Sequence, residues 1–395
     1  MSFVPRRVAT ATEPPSDIQS RHTWGPKATF PSFESAGAVN VQTEHGAAGD
    51  GVADDTAALR AALNAPGATI VLLPRGIYRV SSTLRVPSGV ALVGVAHHLV
   101  VIAPVDAGFA EARQANGTAP LLLVAPPEVA LVPRTGAPGH APLNTVVAWV
   151  STVTWQNTPE VFAIDWQNVA PLQTFNVYRQ GSTWIKPGPC SFGTAHPSVD
   201  CEWAQNRHLD APIFEVSGDG RFYVVHEEDG GYWENSTCPN YRHMLVTGTT
   251  AGRRAFYHGN WEHAISDANA EIRDADQVEI YSLKSEGRNA VLWVRNSSGV
   301  LLTSYGGNAC PYAAGSPGAG GAGFPPSLFR ISGTVSNVTL ANLISFDMAS
   351  TLPQGRLGSP VPCLPPDQWI SVFEERSDGN VTSARLDRPV LYRRN

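Results

Sequence analysis

Residues 272–302 read IRDADQVEIYSLKSEGRNAVLWVRNSSGVLL. Ile272-Arg273 leads to Val278-Glu279-Ile280, and 22 residues later Val294-Arg295 leads to Val300-Leu301-Leu302. Each copy joins two short runs of strand-forming residues through polar turn residues. Outward from here, Asn337-Val338-Thr339-Leu340 repeats Gln277-Val278-Glu279-Ile280 at 60 residues. That distance is two periods plus a loop, and the glycine-rich stretch from Cys310 to Phe324 is the evident insertion. Leu84-Arg85 followed by Val90-Ala91-Leu92 is a fainter earlier copy. A period of about 20–25 residues, with short strands and no helix per repeat, predicts a parallel β-solenoid. Its coils stack at ~4.8 Å. The leucine and asparagine signature of a leucine-rich repeat is absent.

The open end of such a stack is an unpaired sheet edge and needs a lid. Residues 45–65, HGAAGDGVADDTAALRAALNA, supply one. Asp54 or Asp55 can accept the free N–H groups at a helix start, Thr56–Leu63 favours helix, and Asn64-Ala65-Pro66-Gly67 stops it. The acidic pair therefore reads as a helix cap, and not as a metal or proton-transfer site. Residues 68–95, ATIVLLPRGIYRVSSTLRVPSGVALVGV, follow as β-branched runs each ended by Pro, Gly or Ser. Residues 1–40 are Pro- and Ser-rich and read as an arm lying over one domain that spans 41–395, with a glycine-rich insertion at about 310–327.

Charged residues make up only 16% of the 395-residue chain, too few for a coiled coil or an acid-rich disordered protein. Net charge is −6 and no Lys/Arg cluster exceeds pairs such as Arg253-Arg254, which argues against nucleic acid as a partner. No apolar run reaches the ~18 residues of a membrane span. The first twenty residues hold no hydrophobic segment of signal-peptide type, and a leader removed before this numbering begins is the alternative. The five cysteines have no metal-type spacing; Cys190 and Cys201 could close a local loop. Sequons at Asn116, Asn235, Asn296, Asn337 and Asn380 fit a secreted eukaryotic or viral protein, although such sequons also arise often by chance.

GDGVADDTAALRAAL followed by GATIVLLPRGIYRVSSTLRVPSGVALVGV resembles the N-terminal pattern of the pectate-lyase-like right-handed β-helix superfamily. The pattern is shared by family 55 glycoside hydrolases, phage tailspikes and other polysaccharide-acting enzymes. The resemblance implies an all-β, single-stranded right-handed parallel β-helix with an N-terminal capping helix. A second stretch, HGNWEHAISDANAEIRDADQVEIYSLKSEGRNAVLWVRNSSGVLLTSYGGNA (258–309), is similar to the catalytic coils of family 55 exo-β-1,3-glucanases. That family inverts configuration, with a glutamic acid as proton donor and a second acidic group holding the water. It usually carries two tandem helices, whereas this chain has room for one.

By that resemblance Glu286, in LKSEG, is the proton donor, and Glu262, in WEHA, holds or activates the water. They lie 24 residues apart, close to one coil. A slight lateral shift between stacked coils would bring them into the ~6.5–9.5 Å range of inverting enzymes. Trp261 is the leading candidate for stacking on a sugar ring, ahead of Trp155, Trp166 and Trp233. His263 could orient Glu262 or bind a hydroxyl. Lys284, Tyr305 and Asn308 are expected to line the same groove, and Glu271 could join its acidic face. Asp165, Gln167 and Gln173 could bond sugar hydroxyls or serve turns.

The expected function is an inverting glycoside hydrolase on β-1,3-glucan or a related polysaccharide, extracellular or on a surface, with no cofactor. The oligomeric state, monomer or trimer, stays open. A polysaccharide lyase acting on a uronate polymer would need Ca²⁺ or a basic residue facing the groove. VVHEEDGGYWEN (224–235) offers acids for Ca²⁺ but reads better as surface acids beside a Gly-Gly turn. A non-catalytic glycan-binding or structural surface protein is the third reading. GxSxG, P-loop and HExxH patterns are absent.

Overall fold

A computed structural model describes residues 32–125, 145–169, 177–179, 182–186, 211–228, 240–311, 324–345, 368–384 and 391–394, apart from positions 98, 156, 157, 159, 251, 263, 265, 288, 308 and 310. All five cysteines, Trp233, Gln173 and most of the glycine-rich insertion lie outside the described residues, as does the side chain of Trp155.

The chain winds as stacked coils, each strand pairing in parallel with its counterpart one turn later. It is a right-handed parallel β-helix. The 22-residue offset is the register itself. Ile272 pairs with Val294, Arg273 with Arg295, and Val278 with Val300, which in turn pairs with Val338. In-register stacking puts like residues in columns, and alternation decides which columns face inward. Val278, Val300 and Val338 form one buried column, and Ile280, Leu302 and Leu340 another. Burying each aliphatic side chain contributes roughly 1.5–3 kcal/mol. Aromatics fill the same interior, with Phe222 stacked on Phe256 at 4.6 Å and Trp166 edge-on to Phe222 at 5.2 Å.

Helix Thr56–Leu63 buries Leu59, Ala62 and Leu63 among Val71, Leu73, Tyr78 and Val80 of the first coils. Asp55 occupies its N-cap position, yet its carboxylate makes no capping bond. It accepts Ala48 N–H at 2.6 Å and Gly49 N–H at 3.0 Å, fixing the loop that enters the helix. Asp54 accepts Thr56 N–H at 3.0 Å, at the helix start. Asp50 folds back on the amides of Val52 and Ala53, both at 2.8 Å. Within the stretch expected to be an arm, Ala38–Asn40 is a strand paired with Ile70–Leu72, and residues 1–31 lie outside the described residues.

At the other end the chain reverses. Val381–Ala384 runs antiparallel to Ile370–Glu374, and Leu391–Arg394 runs antiparallel along Val338–Ala341. Reversal ends the parallel stack and covers its edge. Glu374, fully buried, ties the cap together through Arg376 at 2.6 Å, Arg394 at 3.3 Å and the Tyr392 hydroxyl. Burial pushes its carboxyl up, but the bonds from Arg376 and Tyr392 and the two guanidinium charges outweigh it, so its pKa lies below the ordinary value. A lowered carboxylate pKa stabilises the fold fully above the unfolded value of about 4.3, and that stabilisation is lost as pH falls through the folded value. Amide protection in 370–374 and 391–394 is therefore expected to fall below about pH 4 before that of 278–302, measured by hydrogen exchange.

Candidate functional site

The strands Arg254–Glu262, Ala268–Ser285, Ser298–Gly307 and Ser336–Ser345 share one bend at a matching position. His258, Ser282, Ser304 and Asn342 take left-handed φ values of 55°, 64°, 65° and 54°. Each immediately precedes a residue of the register row Gly259–Leu283–Tyr305–Leu343, so the four bends stack on successive coils. The bend hollows the outer surface into a groove of about 510 Å³, lined by the four bend residues, by Gly259, Leu283 and Tyr305 of that row, and by Asn260, Lys284 and Gly306. That volume lies within the usual range of ligand sites, about 300–1,000 Å³.

Lys284 reaches across the edge of this groove. Its Nζ contacts Glu262 Oε1 and, at 2.8 Å, Glu286 Oε1. Asn260 pairs with Lys284 in register, so two residues further Glu262 and Glu286 stand on neighbouring coils, as their spacing predicts. Glu228 pairs with Glu262 in the same way one coil earlier. Exposure separates the two carboxylates: the Glu262 side chain is 4% exposed and that of Glu286 26%. Two oxygens that each bond one ammonium lie no more than about 6 Å apart. This is shorter than the inverting separation expected above.

Burial would lower the Lys284 pKa, but the hydrogen bonds and charges of Glu262 and Glu286 outweigh it and raise the value. A lysine with a raised pKa stays an ammonium through neutral pH, so Lys284 is not positioned to act as a free base there.

The loop carrying Glu262 is held from inside. Asn269, fully buried, donates to the carbonyls of Trp261 and Glu286, both at 3.1 Å, and to Ser285 Oγ at 2.7 Å, while its Oδ1 accepts Ala264 N–H at 3.0 Å. His243 bonds the Glu262 carbonyl through Nε2 at 2.5 Å and Tyr241 Oη through Nδ1 at 3.1 Å. Neither residue stands out in the sequence: an asparagine or histidine inside SDANAEIR or YRHM carries no spacing that marks it as inward-facing. Asn269→Leu removes the donor and the acceptor from several buried groups, each costing about 1–3 kcal/mol when unsatisfied. A lower melting temperature together with a lower turnover is expected, read by thermal unfolding and by rate.

Several expected groove residues are elsewhere. Trp261 is 1% exposed and belongs to the core, edge-on to Phe256 at 5.7 Å, so its faces are not open to a sugar. The cause is alternation after the bend: Asn260 faces out, and Trp261 therefore faces in. Tyr305 does line the groove, as expected, but from beneath it: the side chain is 2% exposed and edge-on to Phe329 at 5.3 Å. Trp166 is wholly interior. Glu271 lies on the other sheet, where Arg242 Nε holds it at 3.0 Å. Its acid neighbours are thus not Glu262 and Glu286. Asp165 bonds Gln167 at 2.6 Å, also on that second sheet. His263 and Asn308 lie outside the described residues. Among the described residues no three His, Cys, Asp or Glu side chains are grouped to hold a metal, and no helix is long and apolar enough to cross a membrane.

Residues 38–116 match a family model described as rhamnogalacturonase A/epimerase, pectate lyase-like. The match covers the first coils of the parallel β-helix and no more of the chain. No curated protein matches it. Among solved structures, it is similar to ORF18 of Geobacillus virus E2, at 16% identity over 76% of this chain and 57% of that one, with a TM-score of 0.35. The chain thus spans little more than half of that viral protein. It is also similar to the A-module of the mannuronan C-5 epimerase AlgE4 of Azotobacter vinelandii, at 15% identity over 75% and 88% of the two chains, with a TM-score of 0.35. The enzymatically active domain of bacteriophage CBA120 tailspike protein 2 matches at 8% identity over 86% of this chain and 46% of that one, with a TM-score of 0.46. The family 55 likeness rests on residues 258–309 alone.

Proposed function

We propose that the chain is a glycoside hydrolase acting on β-1,3-glucan or a related uncharged polysaccharide, outside the cell or at a surface. The observation that supports this is the pair of glutamates on adjacent coils, joined by Lys284 at the edge of an open groove. Glu286, the more exposed of the two, is the proton donor to the glycosidic oxygen. Glu262 takes a proton from the water that attacks the anomeric carbon from the opposite face. The carbon–oxygen bond to the leaving sugar breaks as the bond to water forms, which inverts the centre.

The resting bridge is too short for that water. Lys284 is 48% exposed and unbranched, so its ammonium can swing out into solvent when a glycan enters. The water then takes the place the ammonium leaves. A lyase would need Lys284 as a free base, and its raised pKa opposes that.

The closed bridge also supports a second reading, a non-catalytic glycan-binding β-helix in which Lys284 never leaves. Product analysis separates the readings. Incubation with β-1,3-glucan, mixed-linkage glucan and uronate polymers should release neutral sugars from a glucan and no ultraviolet-absorbing unsaturated product. Unsaturated product would overturn the hydrolase in favour of a lyase. Binding without any product would leave the second reading.

A further inference from the structure

The groove has a gap in its lining at one position. Along the outward column Asn260, Lys284 and Gly306 follow one another on successive coils. The first two fill their places with side chains, and the third has none. A Cβ built on Gly306 would meet nothing within 4 Å, and its φ is not in the left-handed region. Neither backbone conformation nor packing therefore requires glycine there. The next residue is the opposite case: a Cβ on Gly307 would fall 1.9 Å from the Ser285 carbonyl oxygen. The space over Gly306 is one coil, ~4.8 Å, from Lys284, and roughly 8 Å diagonally from Glu286 in backbone terms.

We infer that this space seats a sugar ring, and that the bound glycan lies along the helix axis, running from the Glu262–Lys284–Glu286 group toward Asn342. The inference rests on the glycan-groove reading above and adds to it a seat and a direction. The stacked bends give the direction. Ser282, Ser304 and Asn342 present a hydroxyl, a hydroxyl and an amide at successive steps of ~4.8 Å, at the bends that line the groove. Uncharged donors and acceptors repeated along a line suit the repeated hydroxyls of a neutral pyranose chain. A ring over Gly306 brings its linkage to the exposed Glu286 side, where the proton is delivered. A chain crossing the coils at right angles would meet only one of these polar steps.

Calorimetric titration of the Glu286→Gln protein with β-1,3-linked gluco-oligosaccharides of increasing length measures binding without turnover. In that background Gly306→Leu fills the seat and is expected to weaken binding by about tenfold or more, with an unchanged melting temperature. Gly306→Ala should fall between. Should leucine fail to fold, Ser304→Trp at the exposed neighbouring bend blocks the same space. Affinity should grow with chain length while rings are added toward Asn342, and Asn342→Ala should remove the gain from the longest chains alone. If the parent binds and a folded Gly306→Leu or Ser304→Trp protein binds equally well, the seat is elsewhere while the glycan reading stands. If the parent binds no oligosaccharide, the glycan reading fails and this inference fails with it.

Discussion

Glu286→Gln is expected to slow glycan hydrolysis by about 10² to 10⁴-fold, the usual contribution of a positioned general acid. The amide keeps the size of the carboxyl, and its oxygen can still accept a bond from Lys284 Nζ, now 2.8 Å from Glu286 Oε1. It has no proton to give to the leaving oxygen. The loss should therefore appear in kcat, with KM and melting temperature close to those of the parent. Glu262→Gln should also suppress turnover, but it removes a nearly buried charge from the contact with Lys284 and will alter stability as well. A Glu286→Gln protein that hydrolyses glucan at the parent rate would remove Glu286 from the chemistry.

The second large effect is structural and lies on the opposite sheet. Arg242, 4% exposed, bonds Asp267 at 2.9 Å, Glu271 at 3.0 Å, Ser266 Oγ at 3.0 Å and its neighbour's carbonyl at 2.7 Å. Its guanidinium lies 5.9 Å from the Trp293 ring, which Arg295 also faces at 5.5 Å. Arg242→Met leaves two nearly buried carboxylates without their main cation. Breaking a buried pair from one side costs about 3–5 kcal/mol. A fall of several degrees in the thermal midpoint is expected, followed by circular dichroism. Adding Glu271→Gln should recover part of the loss, because one of the abandoned charges is then gone. An unchanged midpoint in Arg242→Met would show that the network is solvated.

The coil repeat is legible in the sequence because in-register stacking makes each column repeat its chemistry. Val278, Val300 and Val338 share one column, and the spacing of their runs is the coil length. The placement of Glu262 beside Glu286 follows from the same period. What the period does not carry is the direction of each side chain. Of the four bends, His258 and Asn342 are residue types enriched in the left-handed region but common elsewhere, and Ser282 and Ser304 have no such preference, so the row of bends leaves little trace in the sequence. Each bend resets the in–out alternation, and for that reason Trp261 turns inward although it precedes a candidate acid. Asp274 and Gln277 form another such corner, which sends Glu271 to one sheet and Glu279 to the other. The bridging role of Lys284 was equally hidden: its two partners are two residues away on its own coil and 22 residues back on the previous one.

Proton magnetic resonance of the first sugars released from β-1,3-glucan tests the central claim most directly. The anomeric signals, followed before mutarotation equalises them, should show the α-configured sugar appearing first. That result would mean that a water attacked between Glu262 and Glu286 after Lys284 had moved aside. A β-configured first product would mean that the close resting spacing of the two carboxylates is also their working one, and would contradict the inverting mechanism proposed for this site.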